Sequence, residues 1–391
     1  MNRKELSEIR NHFGPEAKYF SMDRVLTAFV DSERNVRALK IRKASELTGP
    51  ETEILFETMK KVLNCNLGKQ SSEMAFMNHA YGEDGAQTYL AKVLASELKD
   101  EDIAQEYADK LAKAEDSDAP YALMVGYCQY DTPRKNKMDE EDGESDTVFR
   151  YLVTALCPTA KVISTLVYDT FDDAILRQEN KNAVISKAPS VGFMYPVFTE
   201  RANDVHHVLF YTKTPNEPDI ELVESFLECE PEQTIVAEQI GMKQVLDTLL
   251  GDDLTYEAVS TVNEKLNQIV AKNKTDEAPT ELTGRILKRM LSEAGVPEEK
   301  LERTETVFES CVGAQTLKPE RLVLPKTTIK TPEIVVNVKN DAKDKVHLET
   351  LNGRHVMVID LDDAMIEVNG YDLRVPGVLD TPAPSETPWE E

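Results

Sequence analysis

The sequence predicts an α+β fold: a central mixed or antiparallel sheet with helices, a helical segment, and a small C-terminal antiparallel β module. Three observations carry this. Residues 148–211 hold repeated runs of β-branched and aromatic side chains, the composition of strands. Residues 231–313 switch to apolar spacings of three and four, the period of amphipathic helices. Beyond them, Asn352-Gly353 and Asn369-Gly370 each sit between apolar runs. Asn-Gly is the strongest short hairpin signal, because both residues accept positive φ.

Taken in order, the first element is a helix. Asn2 can cap it with Glu5 three residues on, Leu6, Ile9 and Phe13 make its apolar stripe, and Gly14-Pro15 stops it. Val25–Val30 and Val36–Ile41, split by a polar five-residue stretch, read as a hairpin. Thr48-Gly49-Pro50 opens a helix lined by Ile54, Leu55, Met59, Val62 and Leu63, with Gly68 just past its end. Residues 69–115 read as helical throughout; Tyr89, Leu90, Val93 and Leu94 form one stripe, and Asp100 caps a helix carrying Ile103, Tyr107 and Leu111. Pro120–Tyr130 reads as a strand, and the acidic block 139–146 as a solvated loop. Strands follow at 148–156, 162–168, 183–186, 192–198 and 205–211, then a short helix over 219–228.

In the helical segment, Val245, Leu246, Leu249 and Leu250 end at Gly251. Thr255 caps a helix with Val259, Val262, Leu266 and Ile269 on one face. Leu282, Ile286, Leu287 and Met290 mark another, closed by Gly295, and Pro297 starts the last, with Leu301, Phe308 and Cys311. Pro319, Pro325 and Pro332 make 314–333 an extended linker. Strands are expected near 334–338, 345–351, 354–360, 365–368 and 371–375. The domain division is therefore 1–230 as an α/β core region, 231–313 as a helical region, 314–333 as linker and 334–376 as a small β module. Residues 377–391, rich in proline and acids, form a disordered tail.

Composition narrows function. The chain has 391 residues, and 71 acids against 45 bases give a net charge of −26. That charge repels phosphate backbones and disfavours non-specific nucleic-acid binding, whose affinity comes from Lys and Arg displacing counterions. No stretch approaches the roughly 20 apolar residues of a membrane helix, and the polar start has no secretion-signal pattern, so a cytoplasmic protein is expected. Cys65, Cys128, Cys157, Cys229 and Cys311 are widely spaced and read as reduced, mostly buried thiols.

The common phosphate-loop, dinucleotide, zinc-protease and serine-hydrolase motifs are absent. Three clusters remain. Residues 192–213 combine Tyr195, Arg201, Asp204, His206, His207 and Tyr211 around a strand–turn–strand, a polar site on an aromatic wall or simply a packed hairpin. Adjacent histidines on a strand face opposite sides, so His206 and His207 do not share one metal. Asp169, Asp172 and Asp173 with Asp360, Asp362 and Asp363 offer oxygen ligands of the kind Mg²⁺ takes, but acids at strand ends also mark turns. Leu287–Leu301 resembles a helix-turn-helix, yet its second helix carries five glutamates against Lys300 and Arg303, which disfavours DNA reading. No cofactor, metal ligand or catalytic residue is assigned from these patterns.

Three stretches carry a resemblance. They are Met1-Asn2-Arg3-Lys4-Glu5-Leu6-Ser7-Glu8-Ile9-Arg10, the helix start Leu98-Lys99-Asp100-Glu101-Asp102, and Gly192–Pro196 running into Val208-Leu209-Phe210-Tyr211-Thr212-Lys213. On these the chain resembles a bacterial family, common in Firmicutes, catalogued as domain of unknown function 4317. The resemblance spans about residues 1–375. It implies a bacterial cytosolic protein and no particular activity, cofactor or catalytic residue.

The expectation drawn from all this is an acidic cytosolic protein that is non-enzymatic and acts as a binding or scaffold protein through a protein partner. An enzyme with an unfamiliar site near 195–207 is the alternative, and a nucleic-acid-linked protein or phosphate mimic the third.

Overall fold

A computed structural model describes residues 1–14, 17–115, 117–135, 141–160, 165–169, 171, 173–178, 183–276, 279–313, 316–324, 326–360, 365–368 and 371–374. Its centre is an antiparallel sheet buried on both faces.

The first unit contains helices α1 (Arg3–Asn11), α2 (Gly49–Val62), α3 (Ala86–Ala95) and α4 (Glu101–Ala114). Its strands are β1 (Phe20–Val30), β2 (Val36–Lys43), β3 (Ser71–Ala75), β4 (Tyr121–Lys135), β5 (Glu141–Ala160), β6 (Thr165–Asp169), β7 (Ala174–Gln178), β8 (Val184–Ile185), β9 (Val191–Tyr195), β10 (Val197–Thr199), β11 (Ala202–Asp204) and β12 (His207–Thr212). The sheet runs β2-β1-β4-β5-β9-β12-β3, with β8 beside the end of β5. Every pairing along it is antiparallel.

Period-two alternation sends neighbouring side chains to opposite layers. Leu123, Val125, Tyr127, Phe193, Tyr195, Val208 and Phe210 pack with α3 and α4 on one face. Cys128, Tyr151, Val153, Met194, Leu209 and Tyr211 pack with α1 and α2 on the other. Burial on both faces is why these strands read as continuous apolar runs. Gly192 lets β9 pass close beneath α2: a Cβ there would stand 2.6 Å from the Thr154 carbonyl oxygen and 2.7 Å from Val62.

The local signals for helix starts are realised. Asn2 accepts from the Lys4 and Glu5 amides, and Glu5 Oε2 accepts the Asn2 amide at 2.7 Å, closing the capping box of α1. The Glu51 carboxylate accepts the Thr48 amide at 2.9 Å. Asp100 caps α4 through the Asp102 and Ile103 amides. Between 219 and 228 the helix is a single π-type turn, Leu222–Phe226, started by a bond from the Leu222 amide to Asp219.

The second unit packs α5 (Ile235–Leu250), α6 (Tyr256–Asn273), α7 (Gly284–Glu293), α8 (Glu298–Leu301), α9 (Thr304–Val312) and α10 (Pro319–Leu322) around Val245, Leu266, Leu287, Leu291 and Phe308. The final expected helix is in fact α8 and α9, broken at Glu302-Arg303. Strand β13 (Leu282–Thr283) pairs with β14 (Thr316–Leu317). Hairpins close the described chain: β15 (Lys326–Lys330) with β16 (Val335–Lys339), β17 (Val346–Leu351) with β18 (Arg354–Ile359), and β19 (Met365–Val368) with β20 (Tyr371–Arg374). Asn352 and Gly353 both take positive φ, 50° and 74°, the two-residue turn their identities anticipate.

Several expectations are corrected. Residues 71–75 form an edge strand, not helix: Ser, Glu, Met and Ala favour helices, but pairing of β3 along β12 outweighs propensity. Residues 141–146 of the acidic block belong to β5, held by its ladder with β4, not to a loop. Residues 316–322 are not extended linker. Pro319 stands at the first turn of α10, where its missing amide costs nothing, and Arg321 and Leu322 are buried in the helical unit. Residues 326–330 are a strand. Positions 139, 140, 172, 362 and 363 of the acidic groups, the 369–370 turn and the 377–391 tail lie outside the described residues.

Arg321 joins the two units. Only 5% exposed, it pairs with Glu238 at 2.5 Å and with Glu232, and it donates to the Gln233 carbonyl at 2.9 Å and to Ser72 Oγ at 3.3 Å. A further bond reaches the Gly68 carbonyl, so α10 is tied to the start of β3. Burial pushes the Glu238 carboxyl up against the pull of Arg321. Glu232 is also desolvated, but facing both Lys318 and Arg321 it is held below the ordinary carboxylate range.

Candidate functional site

The 192–213 segment folds as strand, tight turn, strand. Glu200 and Arg201, between β10 and β11, both have positive φ, 51° and 60°, in a position where Asn and Gly are the easy residues. Contacts with α1 hold them there. The Glu200 amide donates to Glu5 Oε1 at 2.6 Å, so one Glu5 oxygen caps α1 while the other fixes the turn. Arg201 Nη1 reaches both Glu8 oxygens, at 2.8 and 3.0 Å, and its Nη2 donates to the Pro133 carbonyl at 2.8 Å. Glu8 also accepts from Tyr130 at 2.7 Å.

The six residues singled out in the sequence do not converge on one point. Tyr195 is fully buried in the α3–α4 layer, where its hydroxyl accepts from Gln87 at 3.2 Å. Burial pushes that phenol up to about 12, which keeps it protonated at neutral pH. Tyr211 is buried in the opposite layer, and burial raises its phenol too. Arg201 sits half-buried on α1 in an ion pair. The His206 ring turns to Tyr81, with Nδ1 3.2 Å from the hydroxyl. His207, the first residue of β12, turns the other way, while His206 lies in the turn before it. Its Nδ1 lies 2.7 Å from Asp204 Oδ2 and 3.9 Å from Glu73 Oε1.

Asp204 and His207 are thus brought together with Glu73, which the sequence reading placed in a helix and passed over. Glu73 lies on β3 opposite Leu209, and His207 lies on β12 opposite Ala75. This pairing puts both on the α1 side of the sheet. The alternation of Met74 and Phe76 with Glu73 was the available signal, but it is short and made of helix-favouring residues. Among the described residues, Glu73, Asp204 and His207 are the one group of His, Cys, Asp and Glu whose ligand atoms all lie within 4.8 Å of one another. Glu73 also stands on the wall of a cleft of about 280 Å³, together with Met1, Ser71, Asn273, Lys318 and Glu320.

The other sequence candidates are dispersed. Asp173 accepts from Tyr168 within the β6–β7 hairpin, and Asp360 lies 3.1 Å from His347 Nε2 beside β17. Cys128, Cys157 and Cys229 are buried, Cys65 and Cys311 half-buried, and all five are free thiols. Burial pushes the Cys157 thiol up to about 12, away from the range of a nucleophile. No helix among the described residues is long and apolar enough to cross a membrane.

A comparison with curated proteins gives no match. The family profile described as Domain of unknown function (DUF4317) matches residues 1–371, nearly the whole chain. The α+β core that positions Glu73, Asp204 and His207 therefore falls within that match, and the chain belongs to this family.

Proposed function

We propose that this chain is a non-enzymatic binding or scaffold protein that acts through a protein partner. The observation that carries this reading is the apolar surface of the C-terminal hairpins. Leu348 pairs across from Met357, and Val346 from Ile359, so these side chains share one face of the β17–β18 hairpin. Val346 is buried, but Leu348 and Ile359 are each about half exposed, at 49% and 48%. Ile334, Val335 and Tyr371 on the neighbouring hairpins are more exposed still. A two-stranded hairpin is marginally stable alone in water, and its open edges can pair with another chain. Exposed apolar strips on such hairpins fit a protein surface. The net charge of −26 favours a basic partner.

The test replaces Leu348 and Ile359 with Lys in the full-length chain. Capture of a native partner should be lost while the main melting transition stays in place. A partner retained at full strength by this variant would sink the reading.

The enzyme alternative rests on the Asp204–His207 contact, since a carboxylate that orients an imidazole is a common companion of general-base chemistry. Tyr195 and Arg201 do not support it, because each is committed to neighbours in the fold. The phosphate-mimic reading has the net charge alone behind it.

A further inference from the structure

We propose that Glu73 Oε1, Asp204 Oδ2 and His207 Nδ1 form a binding site for one divalent transition-metal ion of the manganese, iron(II) or zinc class. Each carboxylate has one oxygen held by a neighbour and the other turned to the shared point. Asp204 Oδ1 accepts the His206 amide at 2.9 Å, which leaves Oδ2 facing His207. Glu73 Oε2 pairs with the Met1 ammonium, which leaves Oε1 facing the same imidazole nitrogen. Outer contacts of this kind orient metal ligands.

The scaffold is equally suited. Glu73 and His207 sit on adjacent strands of the main sheet, and Asp204 ends the hairpin that α1 clamps through Glu5 and Glu8. Ligands carried on rigid elements hold their geometry better than ligands on loops. Metal–ligand bonds of about 2.1 Å separate neighbouring ligand atoms by about 3 to 3.5 Å in octahedral or tetrahedral sites. The two Nδ1 separations, 2.7 and 3.9 Å, bracket that value. Seating the ion would release to solvent the proton that Nδ1 shares with Oδ2 and move those two atoms apart.

The donor set selects the ion. Imidazole suits zinc and iron(II), the two carboxylates suit manganese, and magnesium and calcium favour sites of oxygen ligands alone. The two carboxylates bring two negative charges to the point, one of them shared with the Met1 ammonium. Three protein ligands leave coordination positions open to water or an oxygen-donor ligand. This site is independent of the C-terminal hairpins and of the partner-binding reading built on them.

The experiment uses the full-length chain stripped with a chelator, then titrated calorimetrically with Mn²⁺ and with Zn²⁺. The expected result is saturable binding of one ion, with a melting temperature that rises with metal concentration. E73Q and D204N should each weaken binding by about tenfold or more. H355Q, which removes an exposed imidazole in the β17–β18 hairpin, should leave it unchanged. E73Q, on a half-exposed edge residue, keeps the test decisive if D204N does not fold. No saturation at millimolar metal would overturn the proposal. So would affinity unchanged in E73Q, or binding lost in H355Q, which would place the ion at the C-terminal hairpins.

Discussion

The central sheet and the C-terminal hairpins contain the same kinds of residue and meet opposite fates. Phe193 and Leu209, on β9 and β12, are fully buried because a helical layer covers each face of the sheet. Leu348 and Ile359, on β17 and β18, pair across a hairpin and remain about half exposed. In the first region burial dictates where strands pair; in the second, turn chemistry at Asn352-Gly353 dictates it. Local sequence can thus form a hairpin without giving it a core.

The contrast can be broken at its strongest point by Phe193→Ala. Truncating a fully buried phenylalanine should cost about 3–5 kcal/mol in urea unfolding. A loss below about 1 kcal/mol would mean the sandwich core is not the main source of stability. Of similar size, about 3–5 kcal/mol, is the expected cost of Arg321→Met, which strands the buried Glu238 and leaves Glu232 with Lys318 alone at the joint between the units. If the two units instead separate into distinct transitions in this variant, Arg321 couples them rather than stabilising either.

Acid should act on the sandwich through His12. His12 is 5% exposed, lies against Tyr130 and Phe20, and its buried Nδ1 has no hydrogen-bond partner. Burial lowers its pKa from 6.5 to about 4, against the pull of Glu8. The unfolded chain therefore binds the proton first. Stability is full above pH 6.5, falls as the pH drops from 6.5 toward 4, and loses on the order of 3 kcal/mol. His12→Phe should flatten that slope; an unchanged slope would assign acid sensitivity to other groups.

Arg201→Ala should cost about 1–2 kcal/mol, because the half-buried Glu8 loses a bidentate partner but keeps Tyr130. A cost within about 0.5 kcal/mol, as for ordinary surface changes, would make Arg201 free for recognition. The smallest effect belongs to the hairpins: Leu348→Ala should change stability by less than about 0.5 kcal/mol. A loss of 2 kcal/mol or more, roughly that of a core truncation, would show that a hidden contact covers this face.

Sequence by itself determined what short-range chemistry specifies. The capping box of α1, the Pro50 start of α2, the Asp100 and Thr255 caps, the β1–β2 hairpin and the Asn352-Gly353 turn were all readable, because each depends on residues a few positions apart. Tertiary structure decided the rest. Residues 71–75 became a strand only because β12 offers an edge, and 316–322 became part of the helical unit because Arg321 has the carboxylates of Glu232 and Glu238 to meet. Arg201 reads as a loop cation until Glu8, 193 positions earlier, is folded against it. Glu73 joins Asp204 and His207 through a strand pairing that no local pattern announces. Contacts across such separations are set by burial and charge in the assembled molecule, and these exist only once the layers have closed.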